Sequence, residues 1–504
     1  MALAAARALP WFLQPGMFFD GEIYATISRN MAVGIGDAWH PVFSATHWAD
    51  FREAPPLAFV LESLLFRLVG DHFWVEKLYS ALTGLATAAM IVAVWRQLVD
   101  IRSPWRSYSW LPVLLWMMLP SWMTVYGNNL LEGTMGLFAI LAVYAALRAD
   151  EGGRAAFAWL PLAAASVAAA LLSKGPVGLY PLATPILAGL TLRRQTLGKS
   201  AAMNAALIGL VGAMLGLLFL QAGALEGFTK YLHVQVFAAL AGQRELTASS
   251  LGRFYIFREI VRELALPAAV AGALTLRSRR RGLANSAESA TRNRVLAFCL
   301  LTAVSASFPI AISPKQENWY PFPSYPFYTL ALGLWCAPAL VRLLAAGQAA
   351  ADGWLGRRSL KWAATCTLLV LVGVVWHALR HPPPEKELYR DTLALARVVP
   401  KSSVVSYVTS SNDVHTDAAL PYYLARWAYI GVGHTEEPRE FLVLPIDGSV
   451  QPPPGYRETP TEMRLYRLFK RSDSMNLVTE PVGQIGTIRV SEAIEVRATT
   501  NIVK

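Results

Sequence analysis

Long apolar runs, separated by short breaks that carry arginine or lysine, recur along the chain up to about residue 380. Each run approaches the roughly 20 residues an α-helix needs to cross a bilayer. The pattern predicts helices over 77–98, 107–125, 130–147, 156–172, 176–192, 201–221, 260–277, 294–312, 321–342 and 362–379. Residues 1–14 read as part of one more helix, too short to span and without the small-residue cleavage site of a secretory signal. We expect the chain to begin inside that helix, so about eleven transmembrane helices are predicted. The stretch "PPLAFVLESLLFRLVG" at 55–70 is different, because it contains Glu62 and Arg67 and is short for a crossing. It is predicted to lie in the outer interface as an amphipathic helix. That makes 15–76 one long external segment with juxtamembrane helices.

After "RHPPPEKELY" the pattern changes. Residues 385–504 mix polar and apolar positions, with strand-like "SSVVSYV", "EFLVLPI" and "MRLYRLF" and a helical "AALPYYLARWAYI". The proline run 382–384 reads as a tether. The expected organisation is a transmembrane domain over 1–380 and a small extracytoplasmic α/β domain over 381–504.

Composition turns this pattern into a class. Of 504 residues 54% are hydrophobic and 16% charged, with a mean hydropathy of +0.37; a soluble chain carries about a quarter charged residues. The basic residues also give an orientation. Arg96, Arg102 and Arg106, then Arg193, Arg194 and Lys199, then "RSRRR" at 277–281, and finally Arg342, Arg357, Arg358 and Lys361 fall in one alternating set of loops. By the positive-inside bias that set is cytoplasmic. The net charge of +11 is then mostly a topology signal. Nucleic acid is not the expected partner, because no aromatic-studded basic face accompanies these residues. Cys299, Cys336 and Cys366 fall inside predicted helices and imply no disulfide framework.

Placed on this topology, the candidate chemistry gathers on the outer side. The first external segment holds Asp20, Glu22, Arg52 and Glu53. "YGNNLLEGT" sets Glu132 at the outer start of a helix, and "LLSKGPVGLYP" sets Lys174 in an outer turn. "KYLHVQVFAALAGQRE" brings His233 and Arg244, and "SPKQENWYPFPSYP" brings Lys315, Glu317 and Tyr320. Ionisable groups near the membrane are costly to keep there and are functional candidates by default. Ordinary readings stand beside each: Asp20 as an N-cap, Glu132 as an acid favoured by a helix dipole, the lysines as snorkelling side chains, His233 as a packed interfacial histidine. Five separated outer loops contributing at once favours a site.

In their order, "DGEIYA", "EAPPL", "GDHFWVEKLYSAL", "LLSKGPVGLYP" and "PKQENWYPFPSYPFYTLAL" resemble the polytopic type C glycosyltransferases. The chain is most similar among them to the bacterial lipid A aminoarabinose transferases, which are grouped with the protein O-mannosyltransferases. The resemblance covers residues 15–340 and fades towards 380. It implies transfer of a sugar from a polyprenyl phosphate carrier to an acceptor on the outer face of the bacterial inner membrane, with inversion. The acceptor is a lipid, glycan or protein hydroxyl or phosphate. Cations would stabilise the charge growing on the leaving phosphate, and a carboxylate would orient the acceptor or take its proton. Asp20 matches the family's first-loop acid and is the expected catalytic residue, with Glu132 in support and Glu22 orienting its loop.

The departures are specific. Ile23 stands where relatives carry arginine, and Ala54 where they often carry lysine before the paired prolines. Both are phosphate-binding positions in the family, so donor binding falls to Lys174, Lys315, Tyr320 and Arg52. Glu53 and His233 match positions associated with a bound metal in the aminoarabinose enzymes, though two ligands do not define a site. A divalent metal ion is therefore an open expectation. A transporter or lipid flippase is the competing class. It predicts ionisable residues at helix midpoints and interrupted helices in matched halves, which the sequence does not display.

Overall fold

Helix formation over Val75–Leu98, Leu131–Asp150, Ala156–Lys174, Leu197–Leu218, Ala290–Ile312 and Phe322–Ala346 follows the apolar runs closely. In the computed structural model, among the described residues, these six helical stretches are long and apolar enough to cross a membrane. The structure describes residues 15–153, 156–244, 251–280, 289–351, 385–408, 414–433 and 439–472, with 365, 369, 372, 373, 376 and 380. Most of the helix expected over 362–379, the partial one at 1–14 and Cys366 lie outside the described residues.

Two predicted spans are broken, and proline is the cause in both. The run 107–125 forms Trp110–Met117 and then Pro120–Gly127, with Leu119 extended between them (φ −64°, ψ 133°). A residue before proline is pushed out of the helical region by the ring. The run 176–192 opens as a 3₁₀ turn over Pro176–Ala183 and continues as Thr184–Thr191, since Pro176, Pro181 and Pro185 each remove a helix donor. The run 260–277 extends to Tyr255–Arg280.

Contacts divide the chain into two compact units. One comprises Met1–Trp11, Arg52–Ala58 and Lys77–His377; the other comprises Phe12–Phe51, Phe59–Glu76 and Ala378–Lys504. The second unit therefore combines most of the segment expected to be external, 15–76, with the C-terminal block.

In the first unit, helices Leu131–Asp150, Ala156–Lys174 and Leu197–Leu218 pack through small side chains, with Ala142, Ala146, Ala163, Ala164, Val167 and Leu207 at the centre. Alanine lets the helix backbones approach closely, which is how packing is gained where lipid removes the hydrophobic drive. Helices Tyr255–Arg280, Ser289–Ser307 and Tyr325–Ala351 form a second packed group. Cys299 and Cys336 are buried and free.

The second unit holds a mixed five-stranded sheet. We label Val404–Tyr407 β1, Gly431–Gly433 β2, Phe441–Pro445 β3, Tyr456–Thr459 β4 and Tyr466–Arg471 β5. The order is β2-β1-β3-β5-β4, parallel across β2-β1-β3 and antiparallel across β3-β5-β4. Helices Glu385–Ala396 and Val414–Tyr423 supply Leu388, Leu395, Leu420 and Tyr423 to the core beneath it. The predicted amphipathic stretch is helical over Leu57–Val69. Glu62 is buried there, accepting a hydrogen bond from Ser28 Oγ at 2.8 Å, while Leu64 and Leu68 are exposed.

Candidate active site

In the first unit the geometry starts from two helix ends. Glu132 lies in the first turn of Leu131–Asp150, and Lys174 in the last turn of Ala156–Lys174. Each charge complements the dipole of its own helix end. Because the two helices form an antiparallel hairpin, the ends meet: Lys174 Nζ lies 2.6 Å from Glu132 Oε1, with the glutamate side chain 1% and the lysine 22% exposed. Lys174 Nζ also lies 5.2 Å from the centroid of the Tyr320 ring, within cation–π range.

The turn after Lys174 is fixed by shape. Gly175 adopts φ +111°, and a Cβ there would fall 1.9 Å from Tyr231 Oη. Only glycine fits both demands. The Tyr231 hydroxyl donates to the Lys174 carbonyl at 2.9 Å. Glu132, Lys174 and Tyr320 are thus the sequence candidates that the fold brings together.

Lys315 and Tyr320 share a loop ordered by Gln316, a residue the sequence reading passed over inside "PKQENWYP". The buried Gln316 amide accepts from Ile256 N at 2.9 Å and donates to Arg253 O at 3.0 Å and Ser313 O at 2.9 Å. A buried amide with this many bonds is costly to replace. Lys315 and Arg52 are both half-buried. Glu53 Oε2 lies 3.5 Å from Arg244 Nη2, and His233 stands edge-on to Phe237 at 5.3 Å. Among the described residues no three His, Cys, Asp or Glu side chains come together to hold a metal. The donor set fits a metal poorly, since Glu53 already faces a guanidinium.

A buried carboxylate pair also went unread. Glu259 and Glu263 lie near the start of Tyr255–Arg280 and are buried. Glu263 accepts from Ser121 N at 2.9 Å, while Arg258 and Arg262 pair with Glu259 at 2.8 and 2.6 Å. The i, i+4 acids in "FREIVREL" were the available signal.

Asp20 belongs to the second unit. It is not the N-cap: that position is Phe18, which makes no side-chain capping bond, and Asp20 lies in the first turn of Phe19–Ala32. Two residues on, Glu22 is fully buried. Its charge acts on Arg426, whose guanidinium also bonds Asp71 at 2.8 Å and Glu76 at 3.1 Å. Burial works against the Arg426 charge, but Glu76, Asp71 and Glu22 together hold its proton more firmly than in water. Burial would raise the Asp71 carboxyl, yet Arg426, Arg29 and the Tyr429 hydroxyl hold it below the usual carboxylate range. Arg29 donates to the carbonyls of Arg426 and Ala425 at 2.6 and 3.2 Å and stacks on Tyr429 at 4.0 Å.

Comparisons with known proteins bear on this arrangement. Residues 53–218 match the family model of dolichyl-phosphate-mannose-protein mannosyltransferase. A search of curated proteins gives no match. Among solved structures, ArnT from Cupriavidus metallidurans bound to undecaprenyl phosphate aligns at TM-score 0.59 and 17% identity, over 94% of this chain and 98% of that one. The same protein in its apo state aligns at 0.55 and 17%, over 93% and 97%. The Archaeoglobus fulgidus oligosaccharyltransferase in complex with Zn and sulfate aligns at 0.51 and 13%, over 88% and 67%. At these identities the structural likeness speaks to the fold. The chain has the fold of the polytopic type C membrane glycosyltransferases, and over residues 53–218 it is similar to the dolichyl-phosphate-mannose-protein mannosyltransferases.

Proposed function

We propose that this chain transfers a sugar from a polyprenyl-phosphate donor to an envelope lipid, glycan or protein acceptor, with inversion, on the outer face of a bacterial inner membrane. The observation that carries the reading is the Lys174 ammonium, held at 2.6 Å from buried Glu132 and over the Tyr320 ring, in a chain with the fold of an ArnT that binds undecaprenyl phosphate. Lysine has three N–H donors, so the Glu132 contact leaves others for a phosphate oxygen.

In this reading Lys174 stabilises the charge that grows on the carrier phosphate as the glycosidic bond breaks. Glu132 fixes the position of the ammonium, and Tyr320 supplies a face that keeps it from turning away. Lys315 and Arg52 are further phosphate contacts. Asp20 takes the acceptor-side role through its match to the family's first-loop acid: it orients the acceptor and removes its proton. No step passes through a metal, given that Glu53 faces Arg244.

The test uses membranes containing the full chain, a panel of polyprenyl-phosphate sugars, and acceptors identified by mass spectrometry of envelopes from a deletion strain. Transfer of one sugar by the wild type and its loss in Lys174→Ala is the expected result. No transfer with any donor, together with no retention of undecaprenyl phosphate, would refute it. Sidedness is checked separately with reporters after residues 240 and 280, which should report opposite faces.

A further inference from the structure

At the arginine-rich ends of the spanning helices, away from the Glu132–Lys174 ends of their own helices, a cavity of about 390 Å³ opens between Val75–Leu98 and Leu131–Asp150. We propose that it binds the headgroup of an anionic phospholipid, with an acyl chain laid along the adjoining helix.

The lining shows why. Ala89, Val92, Ala93 and Arg96 follow helical spacing and form one stripe of the first helix. Tyr144 and Arg148, one turn apart, form the facing stripe, and Arg106 closes the end. The first stripe continues up the helix through Leu85 and Leu82, which are 69% and 49% exposed. An apolar track thus leads into a pocket holding three guanidinium groups, which matches a lipid with a phosphate at one end. A soluble anion would gain nothing from the track.

The charge is available for a ligand. Among the described residues Arg96 and Arg106 make no ion pair; Arg106 donates to the Val99 carbonyl, and Arg96 is exposed. Arg148 is partly compensated by Glu151 at 3.2 Å and donates to Gln97 Oε1 at 3.3 Å. Arg96 and Arg106 also line a neighbouring cavity of about 560 Å³ with Ile101, Ser103 and Pro104, which gives a headgroup room on both sides of them. The depth suits a headgroup as well: Trp110 is 40% exposed nearby, and Arg148 stacks on Trp159 at 5.4 Å. Tryptophan and tyrosine collect at the membrane–water interface. Basic pockets between transmembrane helices favour anionic headgroups by the same electrostatics that draw basic segments to anionic lipid.

The experiment is native mass spectrometry of the full-length protein in detergent, titrated with phosphatidylglycerol or phosphatidylcholine. Phosphatidylglycerol should be retained preferentially. Arg96→Glu should weaken it at least about fivefold, the worth of one basic side chain beside anionic lipid, while Arg96→Lys stays near wild type. On the unmodified chain, a photoreactive phosphatidylglycerol should crosslink to peptides spanning 82–96 or 144–148, so the test stands even if a variant folds poorly. Equal retention of both lipids, unchanged binding in a folded Arg96→Glu, or crosslinks confined to other helices would overturn the proposal. Displacement of the lipid by millimolar inorganic phosphate would also overturn it, by showing a soluble-anion site.

Discussion

Replacing Lys174 by methionine leaves the Glu132 carboxylate where it is, 1% exposed, and removes the cation 2.6 Å away. At an effective dielectric of about 20 the gross attraction over that distance is roughly 6 kcal/mol, much of it offset by the cost of drying both ions. What the variant exposes is that stranded cost, about 3–5 kcal/mol when one partner of a buried pair is removed. Glu132→Gln should lose less, about 1–3 kcal/mol for an imperfectly bonded buried amide, because the partly exposed lysine can turn to water. The double variant has neither charge and should recover much of the loss, giving a coupling of roughly 2–3 kcal/mol in a double-mutant cycle. Denaturant unfolding of the purified protein, followed by tryptophan fluorescence, reads these values. Transfer activity separates structure from chemistry: it should be lost in Lys174→Met and stay lost in the double variant despite its recovered stability. Additive stability losses would refute the ion pair. Restored transfer in the double variant would reduce Lys174 to a counterion.

Asp20→Asn removes a first-turn charge while keeping the side chain's size; on the proposed role, transfer in membranes falls at least about 100-fold, and wild-type rates would return Asp20 to a helix-dipole residue. Gln316→Leu strips the loop carrying Lys315 and Tyr320 of its bonds to Ile256, Arg253 and Ser313, so transfer should fall and limited proteolysis near residue 315 should accelerate. The depressed Asp71 carboxyl stabilises the fold above its unfolded pKa of about 3.9, and that contribution is lost as pH falls through the lower folded value. Thermal melts should therefore steepen downward below about pH 4, and Asp71→Asn should flatten that decline; an unchanged profile would show that the Arg426 network does not control it.

The apolar periodicity made most long helices legible, because a run such as 156–172 has few competing structures once water is absent. It failed where proline acts locally, at Pro120 and Pro176, since hydropathy averaged over a window ignores a missing donor. Glu132 and Lys174 could be marked singly from their places at loop edges. Their pairing could not, because it depends on two helix ends meeting. Gln316 was invisible for a related reason: a neutral amide stands out only when the three backbone groups it satisfies, two of them from other parts of the chain or a different turn, are known. Reading Asp20 as a cap assumed a helix start that the fold places two residues earlier, at Phe18.

The C-terminal block shows the same limit and gives it a consequence. Its sequence suggested an appended α/β domain, and nothing in the helical "AALPYYLARWAYI" pointed to Arg426. Within the second unit, however, Tyr423 exchanges two hydrogen bonds with the Met17 backbone, at 2.9 and 2.7 Å, and Phe19 stacks on Tyr422 at 5.6 Å. Arg29, from the helix that carries Asp20, uses its guanidinium to satisfy the carbonyls of Ala425 and Arg426. Those carbonyls lie in a π-turn, where the ordinary helical donors are out of register. The irregular turn and the buried arginine therefore require each other. Removing the C-terminal block would take the Ala425 and Arg426 carbonyls from buried Arg29 and the Arg426 charge from buried Glu22, or force the Asp20 helix to open to water. On these contacts the block is part of what holds the segment before residue 77 in shape, and an acid placed on that segment depends on residues about four hundred positions away.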